Sequence, residues 1–139
     1  MSFSANNITQ PDRWGRPQRA VRWGMVLTYM ATIFFLSSLS GSSVPVLKIS
    51  DKVLHAVEFG GLALLVCRAV RAQAPAFSSR LVAMVSILSA IGYGITDELH
   101  QLFVPNRMMD FTDVAADSLG ALLAAWVWMK VGRHWPWLQ

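Results

Sequence analysis

In this chain of 139 residues, 54% are hydrophobic and only 14% charged, whereas an ordinary soluble domain is roughly a quarter charged. That balance excludes such a domain and leaves room for about four membrane spans, each needing roughly 20 residues to cross a hydrocarbon core about 30 Å thick. The net charge of +4 does not indicate nucleic acid, because the basic residues flank apolar runs instead of gathering on a polar surface.

Met1 to Gln18 are polar and contain Pro11, Gly15 and Pro17 without helical periodicity, so residues 1–20 read as a mobile cytoplasmic tail. The first apolar run extends from about Trp23 to Leu39. Basic residues precede it and small ones follow it, as in a cleaved signal peptide, but the basic region is long and no A-x-A-like site is present, so it reads as a span. Gly41 to Ser50, with Pro45, is a loop. A second helix is expected from about Asp51 to Val70, the least hydrophobic of the four because His55 and Glu58 interrupt it. Arg71 to Ser79, with Pro75, is a turn. The third helix is expected from Leu81 to about Phe103, apolar until Thr96 and then polar. After a turn at Val104 to Asn106, a fourth helix runs from about Phe111 to Met129. The expected fold is therefore all-α: a four-helix transmembrane bundle over 21–132, followed by an interfacial tail at 133–139. Cys67, the single cysteine, has no disulfide partner and reads as packing.

Lys and Arg set the orientation, since positive residues stay on the cytoplasmic side. Arg13, Arg16, Arg19, Arg22, Arg68, Arg71, Arg80, Lys130 and Arg133 fall on one side, against Lys48, Lys52 and Arg107 on the other. Both termini should be cytoplasmic. Trp14, Trp23, Trp126, Trp128, Trp135 and Trp137 flank the cytoplasmic ends, where indole rings favour headgroups.

Every acidic residue except Asp12 lies at the end or in the interior of a predicted span: Asp51, Glu58, Asp97, Glu98, Asp110, Asp113 and Asp117. With a rise of about 1.5 Å per residue, Glu58, Asp97 and Asp117 each reach roughly 9 to 10 Å below the outer surface. Asp51, His55 and Glu58 share one helix face, as do Asp110, Asp113 and Asp117, and Asp97 lies one turn from Gln101. A carboxylate facing lipid is costly, so each polar stripe should face the bundle interior.

The segments D-K-V-L-H-A-V-E-F at Asp51 to Phe59, Y-G-I-T-D-E-L-H-Q-L-F-V-P-N-R at Tyr93 to Arg107 and D-V-A-A-D-S-L-G at Asp113 to Gly120 closely resemble the VanZ-like family of small membrane proteins. The F-F-L-S-S run at Phe34 to Ser38 resembles the end of that family's first helix. The resemblance singles out Asp51, Lys52, His55, Asp97, Glu98, Gln101, Arg107, Asp113 and Gly120. Three positions depart from the pattern: Phe59 stands where an aromatic hydroxyl is usual, Asn106 where glycine is common, and Asp117 where asparagine is common. The resemblance implies a role in the envelope of a bacterial inner membrane, the name-giving member being associated with teicoplanin resistance. It supplies no reaction.

The candidate catalytic set is His55, Glu58, Asp97, Glu98, Asp113 and Asp117, with Lys52, Gln101, Arg107 and Tyr93 as substrate-binding groups. Such a set suits general acid–base work or an oxygen-rich divalent metal site. The substrate expected is a membrane lipid or lipid-linked cell-wall precursor, with Arg107 on a phosphate and His55 as base. Asp51 and Asp110 are expected to cap helices, Gly92, Gly94 and Gly120 to serve close packing, and His100 to be interfacial. Three function classes stay open: an intramembrane enzyme, a lipid- or cation-binding or transport protein, for which an oligomer could supply the pathway that four helices lack, and an accessory subunit of an envelope enzyme.

Overall fold

In a computed structural model, residues 15–40 and 50–132 are described. They form four helices and, among the described residues, no strand: α1 (Arg16–Ser37), α2 (Asp51–Gln73), α3 (Ser79–Gln101) and α4 (Phe111–Val131). Each is long and apolar enough to cross a membrane. At 21 to 23 residues the helices span about 32–35 Å, enough for the hydrocarbon core.

The helix ends have local causes. Pro17 sits in the first turn of α1, where its missing N–H costs nothing, and starts the helix at Arg16, inside the stretch read as tail. The expected mobility of the first 14 residues, the 41–49 loop and the interfacial tail at 133–139 lie outside the described residues. Gln73 ends α2 two residues before Pro75, three residues beyond the expected boundary. Ser78 caps α3 by accepting the Leu81 N–H at 3.2 Å. Asp110 caps α4 as expected, accepting the Thr112 N–H at 2.8 Å. For α2 the capping position is Ser50, without a side-chain bond, and Asp51 instead accepts the Lys52 N–H at 2.9 Å. Past α3, Asn106 has φ 58°, a left-handed conformation that asparagine tolerates better than other side-chain-bearing residues.

The helices run alternately up and down. At one end Arg22 donates to the Arg68 carbonyl at 3.0 Å, and the Arg71 guanidinium lies 5.4 Å from the Trp128 ring centre. At the other, His100 meets Ser38 and Lys52 meets Asp113. The central helix is α2, which packs on all three others and most extensively on α4. Contrary to expectation it carries the most apolar stretch of the four. Its acidic residues, with Lys52 and His55, are confined to its first two turns, and Phe59, Leu62, Ala63, Val66 and Cys67 follow as buried core before Arg68 and Arg71.

Gly120 makes the α2–α4 approach feasible. A Cβ at that position would lie 1.9 Å from the Ala56 carbonyl oxygen, and one at Gly60 would lie 3.1 Å from the Gly120 oxygen. Small residues let helix backbones approach where hydrophobic burial supplies no drive. Gly94 has a comparable reason, its open side facing Asp117 Oδ2 and Phe59, whereas Gly92 faces open space and serves no such contact. Trp128 also differs from expectation: it is buried in the core, not placed among headgroups, while Trp126 is exposed.

Candidate functional site

The first two turns of α2, the last two of α3 and the first two of α4 are brought together by the tight α2–α4 crossing. Asp97, Glu98, Gln101, Asp113 and Asp117 are all buried there. His55 links α2 to α4: its Nδ1 lies 3.0 Å from Asp117 Oδ1, and its Nε2 lies 3.8 Å from Asp113 Oδ2. Both ring nitrogens therefore face carboxylates. Lys52, one turn earlier, donates to Asp113 and, at 2.7 Å, to Asp110. This ammonium holds the Asp110 carboxyl, which caps α4 from outside the span, down at about 2, with the hydrogen bond from Lys52 the leading cause and those from Thr112 next.

Glu98 is fully buried and satisfied at both oxygens. Gln101 Nε2 donates to one at 3.1 Å, and the Asp110 N–H donates to the other at 2.7 Å. His55, Glu98 and Asp113 each offer a donor atom within 4.8 Å of the others, a set of mixed nitrogen and oxygen ligands suited to a divalent ion. The Lys52 ammonium already occupies one oxygen of Asp113, and the donors on Glu98 take up both of its oxygens. The trio is held by the protein's own cation and N–H groups.

Beside this network lies a cavity of about 320 Å³. Its apolar wall comes from Ile33, Leu36 and Leu39 at the end of α1 and Leu54 of α2. Its polar side carries Asp51, His55 and Glu58 from α2, Asp97 and Gln101 from α3, and Arg107 from the following turn. Leu36 and Leu54 are partly exposed on the bundle surface, so the apolar wall continues into what the membrane's acyl chains would contact.

Several polar atoms here lack a partner among the described residues. Asp97 Oδ2 accepts from Gln101 at 3.1 Å, but Oδ1 is buried without a hydrogen bond, as is Ser37 Oγ on the α1 wall. The Glu58 carboxylate also makes no hydrogen bond or ion pair among the described residues; Tyr29 donates only to its backbone carbonyl, at 3.1 Å. Arg107 lends Nε to the Leu39 carbonyl at a long 3.4 Å.

Not every residue singled out from the sequence lines the cavity. Tyr93 donates its hydroxyl to the Met30 carbonyl at 2.7 Å and so joins α3 to α1. His100 is taken up by Ser38, 3.0 Å from Nε2, and by the Phe34 ring. Asp110, Glu98, Asp113 and Asp117 lie in the interhelical network. Conversely, Ser37 and the α1 wall carry no charge, and only the F-F-L-S-S run pointed towards them.

Four spans enclosing a buried acidic network and an amphipathic cavity define a multi-pass membrane protein with a polar site between its helices. The chain belongs to the VanZ/LLP1 family, whose model matches residues 4–133, nearly the whole length. Comparison with curated proteins and with solved structures gave no match.

Proposed function

We propose that this protein takes the polar head of a membrane lipid, or of a lipid-linked envelope precursor, into the cavity between α1, α2 and α3. The observation that carries the reading is the cavity's two-sided lining: Leu36 and Leu54, which reach the bundle surface, with the buried Ile33 on one side, and polar groups without a partner among the described residues on the other. An amphiphile entering from the bilayer meets both chemistries in the right order. Arg107 is the group for a phosphate, because its planar fork matches two phosphate oxygens.

The reading is one of binding, since His55, the obvious base, has a carboxylate at each nitrogen. The distribution of Arg and Lys supports a cytoplasmic location for both termini, and hence a cavity at the outer leaflet of the bacterial inner membrane. A protein that holds a wall-precursor head there fits the envelope and teicoplanin setting of the family resemblance.

Native mass spectrometry of the detergent-purified protein tests this. The wild type should retain lipid, and Leu54→Trp, which fills the cavity mouth, should lose it without a lower melting temperature. Equal retention by the two proteins would overturn the assignment.

A further inference from the structure

We infer that the cavity selects a lipid head carrying a primary ammonium beside its phosphate, the chemistry of a phosphoethanolamine head. The inference rests on the headgroup reading above and adds the class of ligand.

The argument begins with charge. The cavity wall carries three carboxylates, Asp51, Glu58 and Asp97, against the single guanidinium of Arg107; Asp51 lies 3.6 Å from the Lys52 ammonium, and the remaining ionisable group, His55, is already committed to Asp117 at 3.0 Å, which leaves Glu58 and Asp97. A purely anionic head would satisfy Arg107 and face the acids unpaired, which is unfavourable in a medium of low dielectric constant. A head with both charges meets Arg107 with its phosphate and offers a cation to the Glu58 and Asp97 carboxylates.

Hydrogen-bond stoichiometry sharpens the choice. Asp97 is 5% exposed, yet its Oδ1 lacks a donor among the described residues, as does the Oγ of Ser37, which is 7% exposed. Both line the cavity, together with the Glu58 carboxylate, which has no partner among the described residues. Three acceptors therefore await donors. A primary ammonium brings three N–H donors and a positive charge, whereas a trimethylated ammonium brings the charge with no N–H, and a glycerol head brings hydroxyls without the charge. Buried acceptors left unpaired are the usual basis for rejecting an analogue that lacks the matching donor. The apolar wall from Ile33 to Leu39 favours a lipid as the source of the ammonium over a soluble amine.

Competition in mixed micelles tests the inference. The full-length protein, washed free of bound lipid, is equilibrated with equimolar phosphatidylethanolamine, phosphatidylcholine and phosphatidylglycerol, and bound lipid is read by native mass spectrometry. Phosphatidylethanolamine should be enriched about tenfold over each of the others, as expected for loss of one charge-assisted contact. Asp97→Asn should bring that enrichment close to the bulk ratio. Glu58→Gln is the second variant, should Asp97→Asn fail to fold. Equal binding of the three lipids would overturn the ammonium assignment and leave the headgroup reading standing; no bound lipid of any class would remove both. Free phosphoethanolamine at millimolar concentration should not displace the lipid. Displacement at that level would show a soluble amine, not a lipid, to be the ligand.

Discussion

His55 on α2 and Asp117 on α4 face each other at 3.0 Å through Nδ1 and Oδ1, in the layer where the two helices are closest. The contact fixes the ring so that Nε2 turns towards Asp113. Asparagine at 117 keeps a carbonyl oxygen for a ring N–H, so Asp117→Asn should melt within about 1 kcal/mol of the wild type. Asp117→Ala leaves the imidazole without its partner and should cost about 3 kcal/mol, the scale of breaking one side of a buried pair. Thermal unfolding in detergent decides between them, and an unchanged alanine variant would show that the pair does not hold α2 to α4.

Gly120 is the second point on which that crossing depends. An alanine there ordinarily gains up to about 1 kcal/mol in helix propensity. Here its Cβ would meet the Ala56 oxygen, carbonyl carbon and Cα at 1.9, 2.6 and 2.8 Å, all backbone atoms that cannot rotate away. Gly120→Ala should therefore lose about 3 kcal/mol or more. Gly92→Ala, with nothing within 4 Å, should be neutral or mildly stabilising. Similar losses in both would place the damage in glycine flexibility, not in the helix approach.

The contrast between these glycines shows what the sequence could tell. Span number follows from length and hydropathy, and the convergence of Glu98, Asp113 and Asp117 follows from helical spacing and the cost of exposing acids to lipid. Gly92 and Gly120 look alike in sequence, because which face a glycine turns to a neighbour depends on packing angles that periodicity does not encode. For the same reason Tyr93 read as a site residue although its hydroxyl is spent on Met30, and Trp128 as interfacial although it lies under Arg71. Ser37 carries no charge to mark it. Beyond its place in the F-F-L-S-S run, the placement of α1 beside the acids makes it part of the cavity.

Tyr93→Phe isolates that bridge. It removes one hydroxyl donor from the Met30 carbonyl and keeps the ring against Phe59, whose centroid is 6.2 Å away. Stability should fall by about 1 kcal/mol, with lipid retention unchanged in native mass spectra. Lost retention at full stability would return Tyr93 to the binding site.

Asp110 supplies a pH signature. Its carboxyl is lowered to about 2 by Lys52 and Thr112, below the ordinary value near 3.9 that holds in the unfolded chain. A depressed acid contributes stability that is complete above the unfolded value and lost as pH falls through the folded one. Asp110→Asn keeps a capping acceptor and removes only the charge. The melting-temperature gap between wild type and variant should stay constant from pH 8 to pH 5 and close between about pH 4 and pH 2. A gap that closes near neutrality would mean that another group controls it.

Lys52 joins Asp110 and Asp113 from a neighbouring helix, and Asp113 is one of the three residues whose donor atoms could surround a metal ion. Its ammonium already neutralises Asp113, so wild-type stability should not respond to added Mn²⁺. Lys52→Met leaves Asp113 without that counter-charge and should melt earlier than the wild type. The variant's vacated carboxylates, with His55, should then accept Mn²⁺, and a ligand that binds only the folded state raises its stability, by about 2.7 kcal/mol at a hundredfold excess over Kd. Recovery in the variant alone is the expected result. A wild type stabilised equally by Mn²⁺ would show that the trio holds a metal ion beside the lysine and that Lys52 does not substitute for one.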